Sequence, residues 1–124
     1  GRMTRDFELI RKLLMFFDEK SGPDSVEVPD VGEEYSELQV KYHLLLLYQA
    51  GLVDCEPVKS STSDRVIYVL PFNLTWEGHE FLANIRAAGV WQRIQASITT
   101  KGGTLAFAVI NQLATKLAQQ AAGL

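Results

Sequence analysis

The chain opens with apolar residues that recur at the spacing of a helix. The pattern predicts a helix from about Arg5 to Lys20, with Thr4 as its N-cap. The residues that share its apolar face are Phe7, Ile10, Leu13, Leu14 and Phe17. The polar sequence Ser21-Gly22-Pro23-Asp24 is typical of a chain reversal and ends the helix.

The next segment combines valines with residues that interrupt regular structure. Val26, Val28 and Val31 favour an extended edge segment, whereas Pro29 and Gly32 disfavour a helix. A helix-turn-helix needs a helper helix here, directly before the helix that reads DNA. The sequence therefore predicts that this positioning element is reduced or missing.

A capping box marks the start of the second helix. Ser36 is its N-cap and Gln39 its third helical residue, the pair whose side chains cap each other's backbone N–H groups. The predicted helix continues to about Ala50, and Gly51 supplies the left-handed residue that stops it. The residues predicted to face inward are Val40, His43, Leu44 and Leu47.

A β-hairpin follows the second helix. Two predicted strands, Leu52–Pro57 and Arg65–Phe72, enclose a polar loop at residues 59–64 that forms a wing. The sequence Leu74-Thr75-Trp76-Glu77-Gly78 leads out of the hairpin, and Thr75 is the N-cap of a helix that runs to about Ala87.

Two further helices complete the pattern. The first carries Val90, Trp91, Ile94 and Ile98 on one face, and Gly102-Gly103 is a flexible joint after it. Thr104 begins a last helix, whose apolar stripe must dock on its own chain or on a second copy. The residues of that stripe are Leu105, Val109, Ile110, Leu113, Leu117 and Ala121.

This order of elements predicts an α+β fold with a winged-helix, helix-turn-helix-like core, a β-hairpin wing and two additional C-terminal helices. The 124 residues predict a single domain, 1–124, with a core at 3–87 and a helical extension at 88–124. Gly1 and Arg2 precede Met3 and are interpreted as the remnant of an expression tag.

Charge is distributed unevenly along the chain, whose net charge is −3. Between residues 21 and 56, eight acidic side chains accompany one base, Lys41, whereas no acidic side chain follows Glu80. The bases after that point are Arg86, Arg93, Lys101 and Lys116. Such asymmetry can steer two copies together head to tail, or it can steer another partner. An acidic middle is a poor surface for phosphate.

Composition also bears on the compartment. No apolar run approaches the length of a membrane span, and the N-terminus lacks the apolar region of a signal peptide. The single cysteine, Cys55, cannot form an internal disulfide. We therefore expect a cytoplasmic protein that does not enter a membrane.

Residues suited to catalysis or metal binding are sparse. His43 and His79, the only histidines, lack the paired spacing of metal ligands. Cys55 could act as a nucleophile with His43 as its base, but a lone strand cysteine is more often a small buried hydrophobe. We expect no catalytic residue, metal, cofactor or small-molecule substrate. An enzyme that uses Cys55 or a histidine is the weakest of three functional hypotheses.

Several pieces of the sequence together point to a family. They are Met3-Thr4-Arg5-Asp6, Leu9-Ile10-Arg11-Lys12, Tyr42-His43-Leu44, Ala50-Gly51-Leu52, the block from Leu74 to Leu82, and Gly102-Gly103. From Met3 onward the chain resembles an uncharacterised bacterial and prophage winged-helix family, the domain of unknown function 2513. The resemblance implies a small chromosomal or phage-related protein, and it implies no catalytic residues.

The helix at residues 36–50 occupies the position of a recognition helix. A face that reads DNA offers arginine, lysine, asparagine or glutamine to base edges, yet Lys41 is the only cation of this helix. Apolar residues lie nearly all round this helix. We therefore predict that its outward face is also covered, by the C-terminal helices or by a second copy. The predicted interface residues are Leu38, Tyr42, Leu45 and Tyr48, together with Ile110, Leu113 and Leu117.

The wing is the other candidate for contact with nucleic acid. Its phosphate-binding candidates are Lys59, Ser61 and Arg65, to which Lys41 of the preceding helix is added. The favoured hypothesis is a regulatory or adaptor module that acts through protein contacts, most simply as a homodimer. The alternative is a DNA-binding transcription regulator that uses the wing and the helix at 36–50.

Overall fold

The computed structural model describes residues 4–103 and 105–124, and it forms five helices and two strands in them. The helices are α1 (Phe7–Glu19), α2 (Glu37–Gln49), α3 (Trp76–Arg86), α4 (Val90–Thr100) and α5 (Phe107–Ala121). The strands β1 (Val53–Lys59) and β2 (Val66–Leu74) form an antiparallel hairpin between α2 and α3. The predicted α+β fold is therefore confirmed, and its order of elements is compatible with a winged-helix-like arrangement.

The chain divides into two compact units, one up to His79 and the other from Glu80 to Leu124. In the first unit, α1 and α2 pack on each other and on the hairpin. Its most buried side chains include Leu9, Leu13, Leu14, Leu44, Leu47 and Val53. In the second unit α4 packs on α5, and none of the described helices in either unit is long and apolar enough to cross a membrane.

The N-cap of α1 is Asp6, so the prediction of Thr4 was wrong. The Asp6 carboxylate accepts the backbone N–H groups of Glu8 and Leu9, at 3.0 and 3.2 Å. A carboxylate at this position accepts two free N–H groups of the first turn, and its negative charge interacts favourably with the helix dipole. The predicted apolar face is confirmed, since Ile10, Leu13, Leu14 and Phe17 are buried, with Phe7 half-buried.

The segment between α1 and α2 contains no helix, as its proline and glycine predicted. The Val26 backbone N–H donates to the Pro71 carbonyl of β2 at 3.2 Å, so this part of the segment runs beside the hairpin without forming a strand. The helper helix of a helix-turn-helix is missing here, which confirms that prediction.

The start and the inward face of α2 follow the prediction. Ser36 Oγ accepts the Gln39 N–H at 3.1 Å, and Gln39 Oε1 accepts the Ser36 N–H at 2.9 Å, which completes the capping box. The four residues predicted to face inward are all buried. At the other end Gly51 has a φ of 75°, the left-handed conformation that ends the helix.

The hairpin extends further than predicted, and its register is irregular at two points. One irregularity lies between Asp54 and Cys55 and the other between Val58 and Lys59, so β2 contains an additional residue at each. These bulges bend the hairpin and interrupt the strict alternation of side chains. The register therefore could not be obtained from a two-residue repeat.

The glycine pair after α4 ends that helix. Gly102 and Gly103 have φ values of 81° and 91°, and their N–H groups return to the carbonyls of Thr99 and Ile98. Thr104, which we predicted to begin the last helix, lies outside the described residues. The last helix, α5, begins at Phe107.

Candidate interaction surfaces

The end of α2 and the start of α3 meet at the base of the hairpin. The Thr75 N–H donates to the Leu52 carbonyl at 3.0 Å, and the Thr75 hydroxyl donates to the Gly51 carbonyl. The same hydroxyl oxygen accepts the Gly78 N–H at 3.0 Å, so Thr75 caps α3 as predicted. One threonine thus joins the end of α2 to the start of α3 through the main chain.

Gly78 is required by this joint. A Cβ at this position would overlap the backbone carbonyl oxygen of Leu52, which a small rotation of a side chain could not relieve. The α3 backbone can therefore approach the chain after α2 only when residue 78 has no side chain. The Leu-Thr-x-x-Gly sequence has a structural role in holding the hairpin closed.

His43 has a structural role as well, as predicted. Its side chain is 2% exposed, and its Nε2 accepts the Asp6 backbone N–H at 2.8 Å. A backbone N–H is always a donor, so Nε2 carries no proton, and Nδ1 donates to the Gln39 carbonyl at 2.8 Å. Both ring nitrogens are occupied by main-chain partners, which leaves neither available as a base or a metal ligand.

Cys55 lies half-buried on β1, where its thiol points back to the Val53 carbonyl. Burial, with a smaller contribution from the charge of Asp54, raises the pKa of the Cys55 thiol to about 12. At neutral pH the sulfur is therefore a protonated thiol and a poor nucleophile. His43, the base proposed for it from sequence, is already bonded to Asp6 and Gln39.

The remaining candidate for metal binding is His79 on the surface. Its Nδ1 lies 3.7 Å from a carboxylate oxygen of Asp18, and its side chain is 56% exposed. Among residues 4–103 and 105–124, no group of three histidine, cysteine or acidic side chains could hold a metal ion.

A groove of about 520 Å³ lies at the end of α1. Its lysine, Lys20, donates to the backbone carbonyls of Asp24 and Phe72, and its apolar lining includes Phe16 and Val26. The one cation in the lining thus fixes the loop after α1, and the other charged side chains of the lining, Glu19 and Asp24, are acidic.

The outward face of α2 is partly covered. Tyr42, Leu45 and Tyr48 are half-buried, whereas Leu38 is 66% exposed. The cover predicted for these four residues, from the C-terminal helices or from a second copy, is therefore absent at Leu38 in this single chain. A large apolar side chain that stays in water forgoes about 1.5–3 kcal/mol of burial energy, so an exposed leucine at this position marks a surface able to gain from a partner.

Lys41 lies next to Leu38 on this face, one helical turn away. Its Nζ lies 3.2 Å from a carboxylate oxygen of Glu37, 3.9 Å from one of Glu27, and 5.9 Å from the centre of the Tyr68 ring. The cation predicted to contact phosphate is thus paired with two acids. We name this surface the Lys41 patch: Glu27, Glu37, Leu38, Lys41 and Tyr68.

The wing brings its predicted residues together at the tip of the hairpin. Lys59, Ser61 and Arg65 are all exposed, and the Ser60 N–H closes the loop on the Arg65 carbonyl at 2.8 Å. Neither Lys59 nor Arg65 forms an ion pair with a residue that the structure describes. Lys41 belongs to the separate patch on α2.

The predicted interface residues of α5 divide into two groups. Ile110 and Leu117 are buried within their own unit, where α5 packs on α4 and the Phe107 ring lies 5.1 Å from that of Phe81. Leu113 is half-buried, and the neighbouring Val109 is 48% exposed. The helix thus docks in its own chain, as an isolated amphipathic helix must, and leaves one edge of the helix uncovered.

Some exposed residues were missed by the sequence analysis. Val28 and Tyr68 are each 37% exposed and Ile67 is 53% exposed, although strand patterning alone favours burial of such residues. Trp76 is 76% exposed, so it has no role in the core. The bulge near Val58 could not be seen in the sequence, and it is what disturbs the alternation around Ile67.

Comparison with known proteins places the chain in a family. Residues 4–104 match the family described as "Hypothetical protein (DUF2513)". An uncharacterized protein of Haemophilus influenzae is 32% identical over 118 residues, which covers 95% of this chain and 98% of that protein. No solved structure matches the chain. The chain therefore belongs to the uncharacterised DUF2513 family, as its sequence motifs indicated.

Proposed function

We propose that the protein is a non-enzymatic winged-helix regulatory or adaptor module of bacterial or prophage type, which acts through protein contacts as a homodimer. The order of helices and hairpin supports a winged-helix core. The function depends on surfaces and not on the fold, because winged-helix-like folds serve many roles.

The observation that carries the proposal is the pairing of Lys41 with two acidic side chains. On a DNA-reading helix this lysine would point to phosphate or bases, but here Glu27 and Glu37 hold it. An acidic and apolar surface repels a polyanion and favours a protein partner, because affinity for DNA scales with the phosphates that lysine and arginine neutralise. Leu38 beside it has two thirds of its surface exposed, as an anchor residue for a partner would.

The local chemistry of Cys55 and His43 supports a non-enzymatic role. A nucleophile needs a lowered pKa or an adjacent base, and the pKa of Cys55 is raised instead. His43 has both nitrogens bonded to the main chain.

DNA binding through the wing is the second candidate. It is favoured by two exposed bases, Lys59 and Arg65, at the ends of a hydroxyl-rich loop. In such a mode the wing would lie along phosphates while α2 stayed away from the bases. The same loop also contains the acid Asp64, so the wing offers phosphate two cations and one anion.

Light scattering coupled to size exclusion tests both candidates, with and without a mixed-sequence duplex at low salt. We expect a mass of twice 13.8 kDa that the duplex does not change. A salt-sensitive complex that Lys59→Glu abolishes and the control Lys101→Glu leaves intact would establish DNA binding instead, since both variants change net charge equally. A monomeric mass at all concentrations would exclude the homodimer.

A further inference from the structure

The two units carry surfaces that complement each other in charge and polarity. The Lys41 patch combines exposed apolar side chains, Leu38 and Tyr68, with the acids Glu27 and Glu37. The chain segment beside it is acidic too, since it holds Asp24, Asp30 and Glu33, all of them exposed. A partner for this surface must offer apolar side chains and positive charge without carboxylates.

The uncovered edge of α5 has that composition. Val109, Gln112, Leu113 and Lys116 follow one another at i, i+3, i+4 and i+7, which places them along one side of the helix. We name these four residues the α5 stripe. Val109 is 48% exposed, Gln112 and Lys116 are exposed, and Leu113 is half-buried. No acidic side chain occurs from Phe81 to Leu124.

We infer that the Lys41 patch of one copy binds the α5 stripe of a second copy, so that the homodimer on which this inference rests is assembled by this contact. Leu38 and Tyr68 pack against Val109 and Leu113, while Lys116 approaches Glu27 and Glu37. In a two-fold dimer the contact forms twice, because each copy contributes one patch and one stripe. The acids around Lys41 orient the approach, and the apolar side chains in the middle hold the complex.

Charge exchange tests the contact directly. The patch variant is Glu27→Lys/Glu37→Lys and the stripe variant is Gln112→Glu/Lys116→Glu, all at exposed positions. Each variant alone places like charges opposite each other in both contacts, and its dimer dissociation constant should rise at least about tenfold at low salt. An equimolar mixture restores opposite charges in both contacts, so a heterodimer should form with near wild-type affinity.

Single substitutions at the apolar positions provide a second test that leaves Glu27, Glu37 and Lys116 in place. Leu38→Asp and Val109→Asp should each weaken the dimer at least about tenfold, measured by sedimentation. Neither should lower the urea midpoint of unfolding at protein concentrations where wild type and variant are both monomeric. Trp76→Asp is the matched control, because Trp76 is a large exposed residue outside both surfaces and the variant adds the same charge. Its dissociation constant should equal that of the wild type.

The outcomes separate this inference from the proposed function. A wild-type protein that is monomeric at all concentrations contradicts both this inference and the homodimer of the proposed function. A dimer that none of the patch or stripe variants weakens, or that Trp76→Asp dissociates, keeps the homodimer and overturns this interface. Charge variants that weaken the dimer singly but do not pair when mixed overturn the contact between patch and stripe, because only a direct contact between them predicts the rescue.

Discussion

Gly78→Ala is the variant that tests the structure most sharply. The added methyl group would overlap the Leu52 carbonyl oxygen, which belongs to the backbone. That carbonyl also accepts the Thr75 N–H at 3.0 Å, and Thr75 in turn accepts the Gly78 N–H. The methyl group can be accommodated only if α3 moves away from the end of α2, which lengthens these bonds.

The size of the effect follows from opposing contributions. Overpacking of this kind costs about 1–3 kcal/mol, and loss of one main-chain hydrogen bond costs about 0.5–1.5 kcal/mol more. Alanine is intrinsically better than glycine within a helix by about 1 kcal/mol, which offsets part of that cost. We therefore expect Gly78→Ala to lower the free energy of unfolding by about 2 kcal/mol, against the direction that helix propensity alone predicts.

Urea unfolding followed by circular dichroism, at one fixed protein concentration, measures the difference. Gly22→Ala is the control, because nothing lies within 4 Å of a Cβ at that position. Its free energy of unfolding should stay within about 0.5 kcal/mol of the wild type. Should Gly78→Ala unfold at the same urea concentration as Gly22→Ala or a higher one, the close approach of α3 to Leu52 would be refuted.

Two further predictions concern the polar groups in and near the core. His43→Leu should lower the free energy of unfolding by about 2 kcal/mol in the same assay, because it leaves the Asp6 N–H without its acceptor. The exposed His79→Leu should change it far less, and equal losses in both would contradict the role assigned to His43. Iodoacetamide should alkylate Cys55 two to three orders of magnitude more slowly in the folded protein than in urea at pH 8, because a pKa raised from 9.0 to about 12 lowers the thiolate fraction. The folded rate should still rise about tenfold per pH unit above pH 9, and equal folded and unfolded rates would contradict the raised pKa.

The parts of the fold that depend on nearby residues could be predicted from the sequence. The capping box of Ser36 and Gln39 and the cap formed by Thr75 each involve residues three apart, and the structure contains both. The apolar faces of the helices follow from helical periodicity in the same way. The pairing of Lys41 with Glu37 also has a local signal, since the two are four residues apart on one helix.

Features that depend on distant residues could not be predicted. Asp6 caps α1 while its own N–H is bonded to His43, which lies 37 residues further along the chain. The second acid at Lys41 comes from the irregular segment before α2, and the exposure of Leu38 depends on which elements pack against its face. Helical spacing shows that a face is apolar, but it does not show whether the chain itself covers that face.

The residues that indicate the family and the residues that we assign to binding are different sets. His43, Gly51, Thr75 and Gly78 belong to the motifs that carry the resemblance, and each contacts or shapes the main chain. Changes there should lower stability at every protein concentration. Glu27, Leu38 and Lys116 are exposed, so changes there should alter self-association and leave the unfolding midpoint of the monomer unchanged. Because the family motif contributes main-chain joints, family membership accounts for the fold, and the function has to be sought in the exposed side chains.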